Sequence, residues 1–231
     1  MMGARGTGGD FRLRNAWVIA GCYALSAVVV FVVGVAGGAV APSAASTLVL
    51  VLVAAHGAVM LALTVGFLRY WDVGWLELGV RRPTSRLWHV VWQVPLVLVG
   101  LVVLQELTFS VFHLGGVDDP TQATSHLGAA GSGTQAVASV LGIVILAPLW
   151  EELFFRGYLQ EALRRRWNTP VAIIVSGLAF GLVHLTPLLA IYHCALGMVL
   201  GWLRSFHGNV WAGLILHMVV NGLVTAATLA A

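Results

Sequence analysis

Long apolar runs, each closed by a short polar connector, occupy most of this chain. Seven of them reach or approach the roughly 20 residues that a helix needs to cross a bilayer. They cover residues 16–36, 47–68, 88–112, 135–163, 170–186, 189–204 and 210–229. No heptad pattern or internal repeat overlies them. The pattern predicts an all-α fold, a polytopic transmembrane bundle of about seven (six to eight) spans. The connector around Thr186-Pro187 is short, so the boundary between the fifth and sixth runs is the least sharply drawn. Ala39-Val40-Ala41 resembles a signal-peptidase site, but the preceding apolar run is longer than the 7–15 residues of a signal h-region. An uncleaved first span is expected, with residues 1–15, rich in Gly and Arg, disordered before it.

Composition supports the same class. The chain is 59% hydrophobic and 9% charged, against about 25% charged in soluble domains. All twelve basic residues are Arg. Arg5, Arg12 and Arg14 precede the first span, and Arg69, Arg81, Arg82 and Arg86 lie between the second and third. Arg164, Arg165 and Arg166 follow the fourth, and Arg204 ends the sixth. The connectors 37–46 and 113–134 carry none, and the second of them holds Asp118 and Asp119. Basic residues favour cytoplasmic loops. One orientation satisfies every loop: N-terminus cytoplasmic, seven crossings of a cell membrane, C-terminus outside. No clustered basic face with aromatic or polar partners is visible, which argues against nucleic-acid binding. Cys22 and Cys194 lie in apolar runs, where a free thiol behaves as a small hydrophobe.

The chain divides near residue 134. Residues 16–134 hold three nearly unmarked spans. Between the second and third, Gly74–Pro83 reads as an interfacial segment, and Trp71, Trp75, Trp88 and Trp92 suit a belt at headgroup level. The loop 113–134 is rich in Gly, Ser and Thr and is expected to be mobile. Residues 135–231 form a core of four helices that carries nearly every intramembrane polar side chain able to do chemistry.

Within that core, Glu151-Glu152 is a costly doublet. Each carboxylate costs about 2.5–3.5 kcal/mol at the centre of a membrane helix, so such a pair is a functional-site hypothesis by default. Glu152 and Arg156, four apart, share a helix face and predict a clamp. Glu151 points about 100° away and is left as a candidate general base or acid. Phe180 and His184 are also four apart, as are His217 and Asn221. Helix rise places Glu151 about 20 Å from Arg164 and His184 about 21 Å from Pro170. It places His217 and Asn221 about 12 and 18 Å from Asn209. These groups can therefore meet at similar depth.

EExxxR at Glu151–Arg156, FxxxH at Phe180–His184 and HxxxN at His217–Asn221, in this order on three late helices, resemble the CAAX-protease and bacteriocin-processing (CPBP, or Abi) family of intramembrane proteases. Ala147-Pro148, Gly157-Tyr158-Leu159 and Gly208-Asn209-Val210-Trp211 also resemble its flanks. The resemblance covers roughly 135–225. It implies hydrolysis of a peptide bond in a membrane-associated protein or peptide. Glu151 and His184 would activate the water, and His217 and Asn221 would hold the oxyanion. Glu152 and Arg156 would brace the site. Metal participation stays open at this stage. Glu151, His184 and His217 would make a His₂Glu set suited to catalytic Zn²⁺, yet HExxH is absent and a glutamate-activated water is the alternative. The balance leans slightly away from a tightly bound zinc.

Two other classes compete with the endopeptidase. One is a non-catalytic bacteriocin-immunity or membrane scaffold protein. The other, less favoured, is a proton-coupled secondary transporter, which should show broken helices in both halves. The Arg-only, Ala/Gly/Val-rich composition points to a high-GC bacterial source, where prenylated substrates are not expected. Glu106, beside Gln105 in the third span, is unusual without an assigned role. His56 and His193 are read as packing residues, although His193 could line a cavity.

Overall fold

The structure is a computed structural model that describes residues 11–114, 133–184, 186 and 189–230. The expected disorder before residue 11 and the expected mobility of most of the 113–134 loop lie outside the described residues. Seven long helices account for nearly all of what is described: α1 (Leu13–Val40), α2 (Ala45–Tyr70), α3 (Val90–Leu114), α4 (Gly133–Arg166), α5 (Thr169–Val183), α6 (Ala190–His207) and α7 (Trp211–Ala230). No strand occurs among the described residues. Helix α1 begins at Leu13, so Leu13–Asn15 are helical where disorder was expected, and Asn15 is buried.

Helices α1, α2, α3, α4 and α7 are long and apolar enough to cross a membrane. Helix α5 has 15 residues, about 22 Å of rise, and falls short alone. Helices α5 and α6 pack instead as a close pair. A Cβ on Gly197 would lie 2.7 Å from the Gly177 carbonyl oxygen, so the two backbones touch where only glycine fits. The outer surface is lined with apolar side chains. Trp17, Phe31, Leu96, Val99 and Val111 are each more than 60% exposed, which suits lipid rather than water.

Helix α4 runs through the middle of the bundle, and its form departs from the regular helix the sequence predicts. Val140–Leu146 and Glu152–Leu159 are π-helical, separated by one α-helical turn, Ala147–Glu151. The first wide stretch has a local cause. In it the Ala147 amide donates to the Gly142 carbonyl, five residues back. The next carbonyl, Ile143, would then require the amide of residue 148. Pro148 has none. The Asn221 side-chain amide donates to that carbonyl from α7 at 2.8 Å, filling the vacancy as buried polar groups require. The boundary between the α turn and the second π stretch falls between Glu151 and Glu152.

The core centres on α4, with Trp150, Phe154, Phe155 and Tyr158 packed against Phe180, Leu196, Leu200, Leu216 and Val220. The Gly74–Pro83 segment is more than interfacial. Leu78 is fully buried, and the Val210 amide donates to the Gly79 carbonyl, which ties this segment to the start of α7.

The Arg-bearing connectors gather on one face. Arg165 pairs with Glu77 at 3.0 Å. Trp211 Nε1 donates to the Arg81 carbonyl at 2.7 Å, and Arg86 donates to the Phe206 carbonyl at 3.1 Å. The Tyr158 hydroxyl donates to the Arg12 carbonyl at 3.0 Å, next to the start of α1.

Candidate active site

Three helices bring the motif residues to one cavity of about 620 Å³, lined among others by Glu151, Phe180, His184, His217 and Asn221. Glu151 stands at the end of the short α turn of α4, and Glu152 opens the π stretch that follows. His184 caps the C-terminus of α5. His217 and Asn221 lie on one face of α7.

His217 sits between the two glutamates. Its Nδ1 is 3.2 Å from Glu152 Oε1, and its Nε2 is 3.5 Å from Glu151 Oε2. The ring is 2% exposed. A carboxylate on Nδ1 fixes the ring and assigns the Nδ1 proton toward Glu152. Nε2 faces the Glu151 carboxyl at the longer distance, at the wall of the cavity.

Glu152 and Arg156 do meet, but at 3.5 Å and without a short hydrogen bond. Arg156 is held mainly by other contacts. Its guanidinium lies 4.2 Å over the Phe180 ring, and Nη2 donates to the Gly197 carbonyl at 3.2 Å. Stacking on an aromatic face suits a buried guanidinium. The expected clamp is therefore a looser ion pair, and Glu152 has a further partner in His217. Gly213 of α7 leaves room for this carboxylate, since a Cβ there would approach Glu152 Oε2 to 2.8 Å.

His184 donates through Nδ1 to the Phe180 carbonyl at 2.7 Å. A carbonyl only accepts, so the proton is on Nδ1 and Nε2 is left as an acceptor. His193 of α6 stacks on the His184 ring at 4.3 Å between centroids. Phe180 sits against His184 at 4.6 Å and against His217 at 5.5 Å, besides carrying Arg156. The contact of Glu151 is with His217; His184 faces the same cavity from α5. Asn221 lines the cavity too, but one of its amide hydrogens is committed to Ile143.

The cavity includes residues that sequence reasoning left as packing or without a role. Tyr23, His56 and His193 line it, as do Gln105 and Glu106 of α3. His56 Nδ1 and the Ser26 hydroxyl share a hydrogen bond of 2.7 Å. Both polar atoms of the Gln105 carboxamide are buried without a partner. The signal for Gln105-Glu106 was present as a polar doublet in an apolar run. The face it occupied depended on packing that no local pattern encodes.

A zinc site was the open question. His184 engages Nδ1 and keeps Nε2 for a ligand, as metal-binding histidines do, whereas Nε2 of His217 faces Glu151 at 3.5 Å. Among the described residues, however, no three His, Cys, Asp or Glu side chains converge in an arrangement that could hold a metal ion. The donors do not fit a zinc cage as arranged.

Comparison with known proteins bears on the same segment. Residues 132–223 match the family model of the type II CAAX prenyl endopeptidase Rce1-like proteins. The match contains all three motifs. The chain is also 26% identical over 119 residues to a Bacillus subtilis (strain 168) protein named "Putative membrane peptidase YdiL". That alignment covers 51% of this chain and 46% of the relative, so the chain spans about half the length of that curated protein. No solved structure matches.

Proposed function

We propose that this chain is an intramembrane endopeptidase that hydrolyses a peptide bond of a membrane-associated protein or peptide with a glutamate-activated water. The observation that carries the reading is the placement of His217 between Glu151 and Glu152 at the wall of a cavity shared with His184 and Asn221. The match of residues 132–223 to the Rce1-like family model supports it.

The chemistry follows from the donors and acceptors. A water between Glu151 and His184 gives one hydrogen bond to the carboxylate and one to His184 Nε2. Glu151 removes its proton as the water oxygen bonds to the substrate carbonyl carbon, and the carbonyl electron pair moves to oxygen. In its doubly protonated form His217 donates to that oxyanion through Nε2–H, beside the second amide hydrogen of Asn221. Glu151 then delivers the proton to the amine as the C–N bond breaks. Glu152 and Arg156 touch neither water nor substrate; Glu152 orients His217 and Arg156 balances its charge. General-base catalysis contributes about 10²–10⁴-fold, and each oxyanion donor about 10²–10³-fold. The Gln105 carboxamide offers one donor side and one acceptor side to the cavity, the complement of an extended peptide backbone.

The test is a peptide-cleavage screen on purified protein in lipid nanodiscs, with products read by mass spectrometry and metal content measured on the same preparation. Cleavage by the wild type that disappears in Glu151→Ala and His184→Ala supports the reading, provided both variants keep their thermal unfolding profile. Full cleavage by Glu151→Ala would refute it. An immunity or scaffold protein would give no product from any peptide.

A further inference from the structure

A second polar cavity, of about 480 Å³, lies on the Arg-bearing face, away from the first. The Gly74–Arg81 segment, the end of α4, the start of α5 and the turn from α6 to α7 enclose it. Its cations fall into two sets. Arg164 is bound to Glu161 through two hydrogen bonds of 2.8 Å. Arg165 is shared between Glu161 at 2.9 Å and Glu77 at 3.0 Å. These two guanidiniums consume the cavity's two carboxylates.

Arg81 and Arg204 have no carboxylate within ion-pair distance among the described residues. Arg81 Nη2 donates to the Leu76 carbonyl at 2.7 Å. Arg204 lies against Gly79, whose φ of +82° and missing side chain make room for the guanidinium. Its Nε is buried and has no acceptor. Arg156, 1% exposed, reaches the same cavity from the other side with Nε and Nη1 also lacking acceptors. Buried charged donors are not left empty without cost. The Thr169 hydroxyl lines the cavity, and so does Ser205, whose hydroxyl already donates to the Gly201 carbonyl and accepts from Gln160. Thr169 opens α5, whose N-terminus is already capped by the Asn168 side chain and carries Pro170 in its first turn.

Two guanidinium groups and the Thr169 hydroxyl around one polar space, backed by the buried Arg156, match a tetrahedral oxyanion. We propose that this cavity binds a phosphate group. The cavity sits at the level of the Arg-rich connectors, where lipid head groups lie. The phosphodiester of an anionic phospholipid and a soluble phosphate share the required chemistry, and the test separates them. The proposal is independent of the peptidase reading, since Arg81 and Arg204 take no part in the proposed hydrolysis.

The experiment is native mass spectrometry of the full chain released from detergent after incubation with phosphatidylglycerol or phosphatidylcholine. Thermal unfolding is measured in parallel with inorganic phosphate against chloride at equal ionic strength. Wild type should retain phosphatidylglycerol about tenfold better than phosphatidylcholine. Arg81→Gln, which changes an exposed side chain, and Arg204→Gln should each reduce that preference. The double variant should abolish it. A stabilisation by inorganic phosphate alone, lost in the double variant, assigns the same site to a soluble phosphate. Equal retention of both lipids together with no response to phosphate overturns the proposal. So does a preference that survives in the double variant.

Discussion

His217 is the residue on which the site turns. It contacts both members of the Glu151-Glu152 doublet, and its two ring nitrogens give those glutamates different environments. Helical spacing separates the doublet correctly in one respect: only Glu152 faces Arg156. It does not show that Glu152 also holds His217, because that contact joins residues 65 apart in sequence. Gln105 illustrates the same limit. Its polarity was visible, but its position in the cavity depends on how α3 is rotated. If its buried, unpartnered carboxamide receives the substrate backbone, Gln105→Leu should raise KM about tenfold with kcat nearly unchanged. That is the kinetic signature of lost uniform binding. Steady-state kinetics on any peptide that the wild type cleaves will show this, and a fall in kcat alone would contradict it.

At the scale of elements, the apolar runs made all seven helices legible to within a few residues, since hydrophobic length is written locally. The π-helical form of α4 was not legible. It depends on Pro148 withholding an amide and on Asn221, from another helix, supplying one. The coupling is measurable. Asn221→Ala should destabilise the wild type by about 1–3 kcal/mol by stranding the Ile143 carbonyl. In a Pro148→Ala background, which restores the backbone amide, the same change should cost clearly less. A double-mutant cycle by denaturant unfolding in micelles reads this coupling; strict additivity would contradict the account. The α5–α6 pair offers a second check. Gly197→Ala places a methyl group against the Gly177 backbone, and should cost about 1–3 kcal/mol as overpacking does. Because Arg156 donates to the Gly197 carbonyl, activity should fall with it.

At the scale of the molecule, the contacts among Arg-bearing connectors give the bundle one basic face. Distribution of Arg along the sequence anticipated that grouping because charge and loop position are both local properties. The proposed orientation puts this face in the cytoplasm, with the C-terminus beyond α7 on the opposite side. Alkaline phosphatase fused after residue 230 should therefore be active in a bacterial host, and a fluorescent protein at the same place dark. The reverse pattern would invert the topology without altering the site. Both cavities lie in one bundle: Arg156 lines the second and pairs with Glu152, which holds His217 at the wall of the first.

The measurement that bears most directly on the central claim is the single-turnover cleavage rate of Glu151→Gln beside Glu152→Gln and wild type, in nanodiscs at one pH. Loss of the base should lower the Glu151→Gln rate about 10³-fold or more, within the range for general-base catalysis. Glu152→Gln, which leaves the base in place and loosens His217, should fall by about 10–100-fold, as for a residue that orients a functional histidine. Equal losses, or a Glu151→Gln enzyme that cleaves at the wild-type rate, would contradict the division of roles proposed for the two glutamates.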